Sequence, residues 1–236
     1  MQVTFRCDPA LLALLPRPQP ARAGLPGWLR ALPPRVPSEA HGRSIRTVKQ
    51  CPPFVDAMSH GFLMPLPCDV QVGDDGAFSW DWPLPALTLP GHPRAPLSFH
   101  VPEQIAGTPL SQGRNSAIKF NSFWTIALEP GWSLMVVHPV NRADLPFRVV
   151  SGLVDADRFN AVGINFPAAW TDPEFRGTLP RGTPVAQCFP VLREALELRC
   201  EAMDAAQALG YEALAGEIMA GPGVYRKGYR SKRGGG

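Results

Sequence analysis

Apolar and polar positions alternate most cleanly in the run IKFNSFWTIAL, Ile118 to Leu128. Ile118, Phe120, Ser122, Trp124, Ile126 and Leu128 fall on one face, and Lys119, Asn121, Phe123 and Thr125 on the other. That is the period of a half-buried β-strand. EPGW follows, with Pro130 and Gly131 at the central positions of a type II turn. SLMVVHP then returns as a second strand, so the two runs predict a hairpin. Shorter strands are predicted at GFLMPLPCDVQV, AFSWDW, FRVVSGLV, AVGINFP, GTLP and PVAQCFPV, with turn residues between them.

The pattern differs at both ends. Residues 1–43 hold eight prolines, and proline lacks the donor a sheet interior needs. This segment predicts an extended arm with a short helix around Pro26 to Leu32, anchored by Trp28 and Leu29. After Pro190, VLREALELRCEAMDAAQALG is dense in helix formers, with Gly210 as a stop, and predicts one long helix. The expected organisation is a Pro-rich arm (1–43), a β core (44–191), a C-terminal helix (192–220) and a basic flexible tail (221–236). The fold class is mainly β, a barrel-like sheet core flanked by the arm and the helix.

Composition narrows the class. The 28 Pro and 22 Gly in 236 residues argue against a helical bundle and for a loop-rich, mostly β protein. Twelve Phe and six Trp within a 45% hydrophobic chain provide a real core. The net charge of +3 is concentrated in the tail, where Arg226, Lys227, Arg230, Lys232 and Arg233 follow Glu217 without an acid. The five cysteines are odd in number and contain no CxxC pair, which predicts free thiols and a reducing, cytoplasmic setting. No 18-residue apolar span occurs, so no membrane partner is expected. His60, His92, His100 and His138 are too scattered to predict a metal site, and the sequence specifies no cofactor. The phosphate-loop pattern GxxxxGK[ST], the dinucleotide fingerprint and GxSxG are all missing.

Four places carry candidate chemistry. Gln187 sits inside the apolar strand PVAQCFPV, where a buried amide needs partners. Asp155 closes the turn-forming segment GLVD. His138, Asn141 and Arg142 crowd the end of an apolar strand in HPVNR. Tyr225 and Arg226 open the basic tail, offering a ring for stacking and a guanidinium for phosphate or nucleic acid. Trp80 and Trp82 of WDW share one face, read as packing.

Between Pro130 and Val191 the order of motifs resembles the β-clip enzymes of the dUTPase and dCTP deaminase type. The residues that carry the likeness are the Pro-Gly turn, Gly152-Leu153-Val154-Asp155 and Gly182-Thr183-Pro184-Val185-Ala186-Gln187. The resemblance implies a nucleotide ligand, with Asp155 orienting or deprotonating the attacking water and Gln187 near the phosphates. It also implies a C-terminal segment closing over the ligand and a trimer with sites between subunits. The chain departs from that pattern at HPVNR, where a phosphate-binding serine would stand, and at Arg158, where a tyrosine would. Over nearly its whole length the chain also resembles a family of uncharacterised phage and bacterial proteins. The runs TVKQCPPFVDAMSHGFLMPLPCDV, KFNSFWTIALEPGWSLMVVHPVNR and YRKGYRSK carry that likeness, which implies a phage-associated interaction protein as the alternative function.

Overall fold

The computed structural model describes residues 1–108 and 117–231. In chain order its first elements are β1 (Thr4–Arg6), β2 (Gln19–Pro20), α1 (Gly27–Ala31), β3 (Arg35–Ser38) and β4 (Arg43–Arg46). Next come α2 (Pro52–Ser59), β5 (Phe62–Pro65), β6 (Val70–Val72), β7 (Phe78–Ser79) and β8 (Leu97–Phe99). The central strands are β9 (Ala117–Asn121), β10 (Thr125–Ala127), β11 (Trp132–Val137), β12 (Phe147–Val149) and β13 (Gly152–Val154). The chain ends with β14 (Asn165–Trp170), β15 (Gly177–Leu179), β16 (Pro184–Leu192) and α3 (Ala205–Ala220). The fold is mainly β, and among the described residues the strands form five open antiparallel sheets, none closed into a barrel.

The chain folds as two compact units: residues 1–31 with 56–193, and residues 32–55 with 194–236. The first unit holds a five-stranded sheet, in order β13-β11-β16-β5-β2, and a four-stranded sheet, in order β12-β14-β9-β8. Period-2 alternation sends Leu134 and Val136 of β11, Phe120 of β9 and Phe166 and Ala168 of β14 into one buried cluster. Phe120 and Phe147 meet with ring centroids 4.6 Å apart, and each fully buried ring contributes roughly 2–3 kcal/mol. The arm serves this core: Leu11, Leu15, Ala21 and Leu29 are buried, and the Trp124 indole N–H donates to Pro16 O at 3.0 Å. Leu29 is buried as the sequence predicts for an anchor, and Trp28, though 39% exposed, hydrogen-bonds the Asp144 side chain.

Three expectations are corrected. First, IKFNSFWTIAL is two strands, β9 and β10, because the Ser122 hydroxyl donates to Trp124 O and accepts from Trp124 N, closing a turn between them. Phe123, which alternation places on the second face with Lys119, Asn121 and Thr125, is also buried, with Trp82 packed on it at 4.7 Å. Second, the hairpin does not form: β10 pairs with β1, and β11 with β13 and β16. Its turn is nonetheless correct, with Gly131 at φ 85° and Trp132 N donating to Glu129 O. Third, the helix placed over 192–220 begins only at Ala205, where Asp204 and Gln207 form a reciprocal capping box. Its register carries Gly210 through the interior, and β16 extends to Leu192.

The second unit comprises the β3–β4 hairpin, α3 and a π-helical turn at Tyr225–Tyr229. It holds ten basic against seven acidic residues, while the first unit has thirteen of each, so it carries the whole net charge. Among the described residues no helix is long and apolar enough to cross a membrane.

Candidate functional site

Gln187 is 1% exposed, and its neighbours on β16, Ala186 and Cys188, are fully buried. Its amide nitrogen donates to Ala57 O at 2.9 Å and His60 O at 2.7 Å, and its oxygen accepts from Val140 N at 2.9 Å. The side chain therefore ties the end of α2 and the segment after β11 to the central strand. Gly61 (φ 70°) permits this approach, since a Cβ there would lie 2.1 Å from Cys188 O.

The HPVNR cluster belongs to the same hydrogen-bonded network. His138 Nε2–H donates to Arg142 O at 3.0 Å while Nδ1 accepts from Val149 N at 3.4 Å, which assigns the neutral Nε2–H tautomer. Burial pushes its pKa below the usual histidine value. Asn141 takes a left-handed conformation (φ 58°) and is exposed. The Arg142 fork closes on Asp144 at 2.8–3.1 Å, which neutralises it.

Asp155 lies at the other end of β11. Ser133 Oγ donates to it at 2.7 Å and Arg193 pairs with it at 3.1 Å. Arg193 also forms a two-pronged pair with Asp157, which accepts Gly131 N–H at 3.0 Å. The Ser133 hydrogen bond, then Arg193, hold the Asp155 carboxyl below its ordinary range, and Arg193 does the same more strongly for Asp157. A general base works best with a pKa near the operating pH, and these partners move Asp155 away from it. Five residues of strand separate Ser133 from His138, about 17 Å at 3.4 Å per residue. Asp155 is thus kept apart from His138, Arg142 and Gln187, which hydrogen bonding brings together.

Tyr225 and Arg226 border a different space, a pocket of about 310 Å³ wholly within the second unit. Two guanidiniums, Arg46 and Arg226, line it together with Gln50, Tyr225 and the apolar Pro52 and Ile218. Arg226 Nη1 donates to Gln50 Oε1 at 3.0 Å, which positions both groups. Arg46 stands directly opposite Arg35 across the β3–β4 hairpin, an arrangement of like charges that costs stability. No carboxylate lines the pocket, and neither Arg46 nor Arg226 makes an ion pair among the described residues. Sequence reasoning misses Arg46 and Gln50; the hairpin pattern RVPSEAHGRSIR, with Gly42 at φ 57°, is the signal that locates Arg46.

Among the described residues no three His, Cys, Asp or Glu side chains gather closely enough to hold a metal ion. A scan against protein-family models matches none to this chain, and a search of curated proteins finds no match.

Proposed function

We propose that the protein binds a phosphate-bearing small ligand, a nucleotide being the favoured class, in the Arg46–Arg226 pocket. One observation carries this reading: two guanidiniums converge on one pocket without a carboxylate to neutralise them. Guanidiniums recognise phosphate through paired N–H donors, and a dianion would relieve the repulsion between Arg35 and Arg46. Tyr225 is 46% exposed at the rim, available to stack on a base. Hydrolysis through Asp155 draws no comparable support from a carboxylate engaged by Ser133 and Arg193.

The test is calorimetric titration of the purified protein with nucleoside mono- and triphosphates and with inorganic phosphate. Binding that is weakened about tenfold or more by Arg226→Gln and by Arg46→Gln is expected. Equal affinity in both variants, or no heat with any phosphate, refutes the reading. A second reading, assembly of copies of this chain, is favoured by Leu196, Leu198 and Met219, each 87–88% exposed within residues 194–220. Light scattering of wild type and Leu196→Lys/Leu198→Lys decides it: an oligomer that the double variant dissolves supports assembly, and a wild-type monomer rejects it.

A further inference from the structure

The first unit contains a cavity of about 560 Å³ that none of the sequence-predicted residues lines. Its construction follows from strand pairing. Arg6 of β1 is paired with Thr125 of β10, and Phe5 with Ile126. Alternation sends Phe5 and Ile126 toward the core and leaves Arg6 and Thr125 on the opposite face, on the cavity wall. The Ser122–Trp124 turn that separates β9 from β10 contributes Phe123 as an aromatic floor. His92 packs on that ring at 5.3 Å and is fixed there, with its two nitrogens each 3.2 Å from the carbonyls of Pro93 and Phe123. The loop at Asn160–Gly163 closes the far side, where Asn160 Nδ2 donates to Ala156 O and Asp157 O. The Asn160 carboxamide oxygen makes no hydrogen bond among the described residues, which leaves an acceptor at the wall.

Charge makes the site specific. Arg6 is the one Lys, Arg, Asp or Glu among the lining residues, and it makes no ion pair among the described residues. The nearby Asp8 is committed elsewhere: it is fully buried and accepts Ala10 N at 2.9 Å and Leu89 N at 2.7 Å. Cys7 is kept as a neutral thiol, because burial and then the Asp8 charge push its pKa up. The cavity thus joins one unneutralised guanidinium to an apolar bowl formed by Leu89, Pro93, Phe123 and Val162. Its volume lies within the range of about 300–1,000 Å³ typical of small-molecule sites.

We propose that this cavity binds a small organic monocarboxylate with an aromatic or aliphatic body. Arg6 takes the carboxylate through its fork, Phe123 and Val162 cover the body, and Asn160 accepts a hydrogen bond from a donor on the ligand. One cation matches one negative charge, which separates this site from the two-arginine pocket of the second unit.

The experiment uses ¹⁹F NMR of the full chain with three probes: 4-fluorophenylacetate, its uncharged analogue 2-(4-fluorophenyl)ethanol, and 4-fluorophenyl phosphate. In the Arg46→Gln/Arg226→Gln double variant, which removes the phosphate pocket, saturable binding of the carboxylate, about tenfold tighter than either other probe, is expected. Arg6→Gln weakens it by a similar factor, and Val162→Trp, which fills the exposed mouth, abolishes it. Arg46→Gln and Arg226→Gln leave it unchanged, so failure here and failure of the phosphate reading are distinguishable. Circular dichroism confirms that each variant is folded. Equal binding of the alcohol, equal binding of the phosphate once Arg46 and Arg226 are both replaced by Gln, unchanged affinity in Arg6→Gln, or no saturable binding at millimolar carboxylate overturns the proposal.

Discussion

Gln187→Leu removes three buried hydrogen bonds without changing side-chain size greatly, and it isolates what the glutamine does. The substitution strands Val140 N–H, Ala57 O and His60 O, all met by Gln187 at 2.7–2.9 Å. Each lost bond has a net worth of about 1 kcal/mol, and a partner left unpaired in the interior costs about 1–3 kcal/mol. The added apolar burial of leucine returns about 1–2 kcal/mol. The expected net loss is about 3–5 kcal/mol, far above the mean of about 1 kcal/mol for point substitutions. For a unit of this size that lowers the thermal midpoint by about 8–15 °C. All six tryptophans lie in the first unit, so urea unfolding followed by their emission reports on that unit alone. Gln187→Glu sharpens the test. Its carboxylate keeps the bond from Val140 N but faces the Ala57 and His60 carbonyls, so its deficit should shrink as the pH falls and the group protonates. A Gln187→Leu loss below about 1 kcal/mol would refute the reasoning, since the three bonds would then contribute little.

Three further outcomes follow from named groups. His138 is held neutral by burial, with its folded pKa lowered; its contribution is full above the unfolded value of about 6.5 and is lost as pH falls below it. Urea midpoints should therefore decline between pH 7.5 and 5, and His138→Gln should flatten that slope. Thiol titration at pH 8 should find Cys51 and Cys200, which are exposed, reacting first and Cys7 more slowly. Cys68, pushed up to about 11 mainly by burial, and the buried Cys188, pushed up further, should react only on unfolding. Gly223 has φ 98°, and a Cβ there would lie 3.0 Å from Arg46 Nη1; Gly223→Ala should cost about 1 kcal/mol or more and weaken phosphate binding measured by calorimetry.

Burial was far more legible in the sequence than pairing. Ile118, Phe120, Ser122, Trp124, Ile126 and Leu128 are all buried as their alternation predicts. Alternation specifies a face and leaves the neighbouring strand open, which is why β10 could be assigned to β11 when its partner is β1. Helix composition misled for a related reason. Residues 193–204 contain good helix formers, yet Leu196 and Leu198 have no packed face to stabilise a helix, and propensity alone is weak support. The Arg46–Arg226 pocket was half legible, because Tyr225 and Arg226 stand together in the tail while Gln50 lies 176 residues from Arg226. The larger cavity was not legible at all, since β1, the Ser122 turn and the Asn160 loop meet only through tertiary packing.

The arginines show why the most conspicuous polar cluster differs from the proposed sites. Arg142 and Arg193 stand beside strand ends, where loop carbonyls and carboxylates are abundant, and each closes on a local acid. Such pairs satisfy the fold's own polar groups, so a sequence rich in polar residues at strand ends yields structure before it yields a site. Arg6, Arg46 and Arg226 instead border cavities whose walls contain no carboxylate. A cation left without a counter-charge beside a space of ligand size gains more from an incoming anion than one already paired, because the paired one must first give up its partner. By that criterion the two cavities are the proposed binding sites, while Asp155, His138, Arg142 and Gln187 are engaged by the protein's own polar groups.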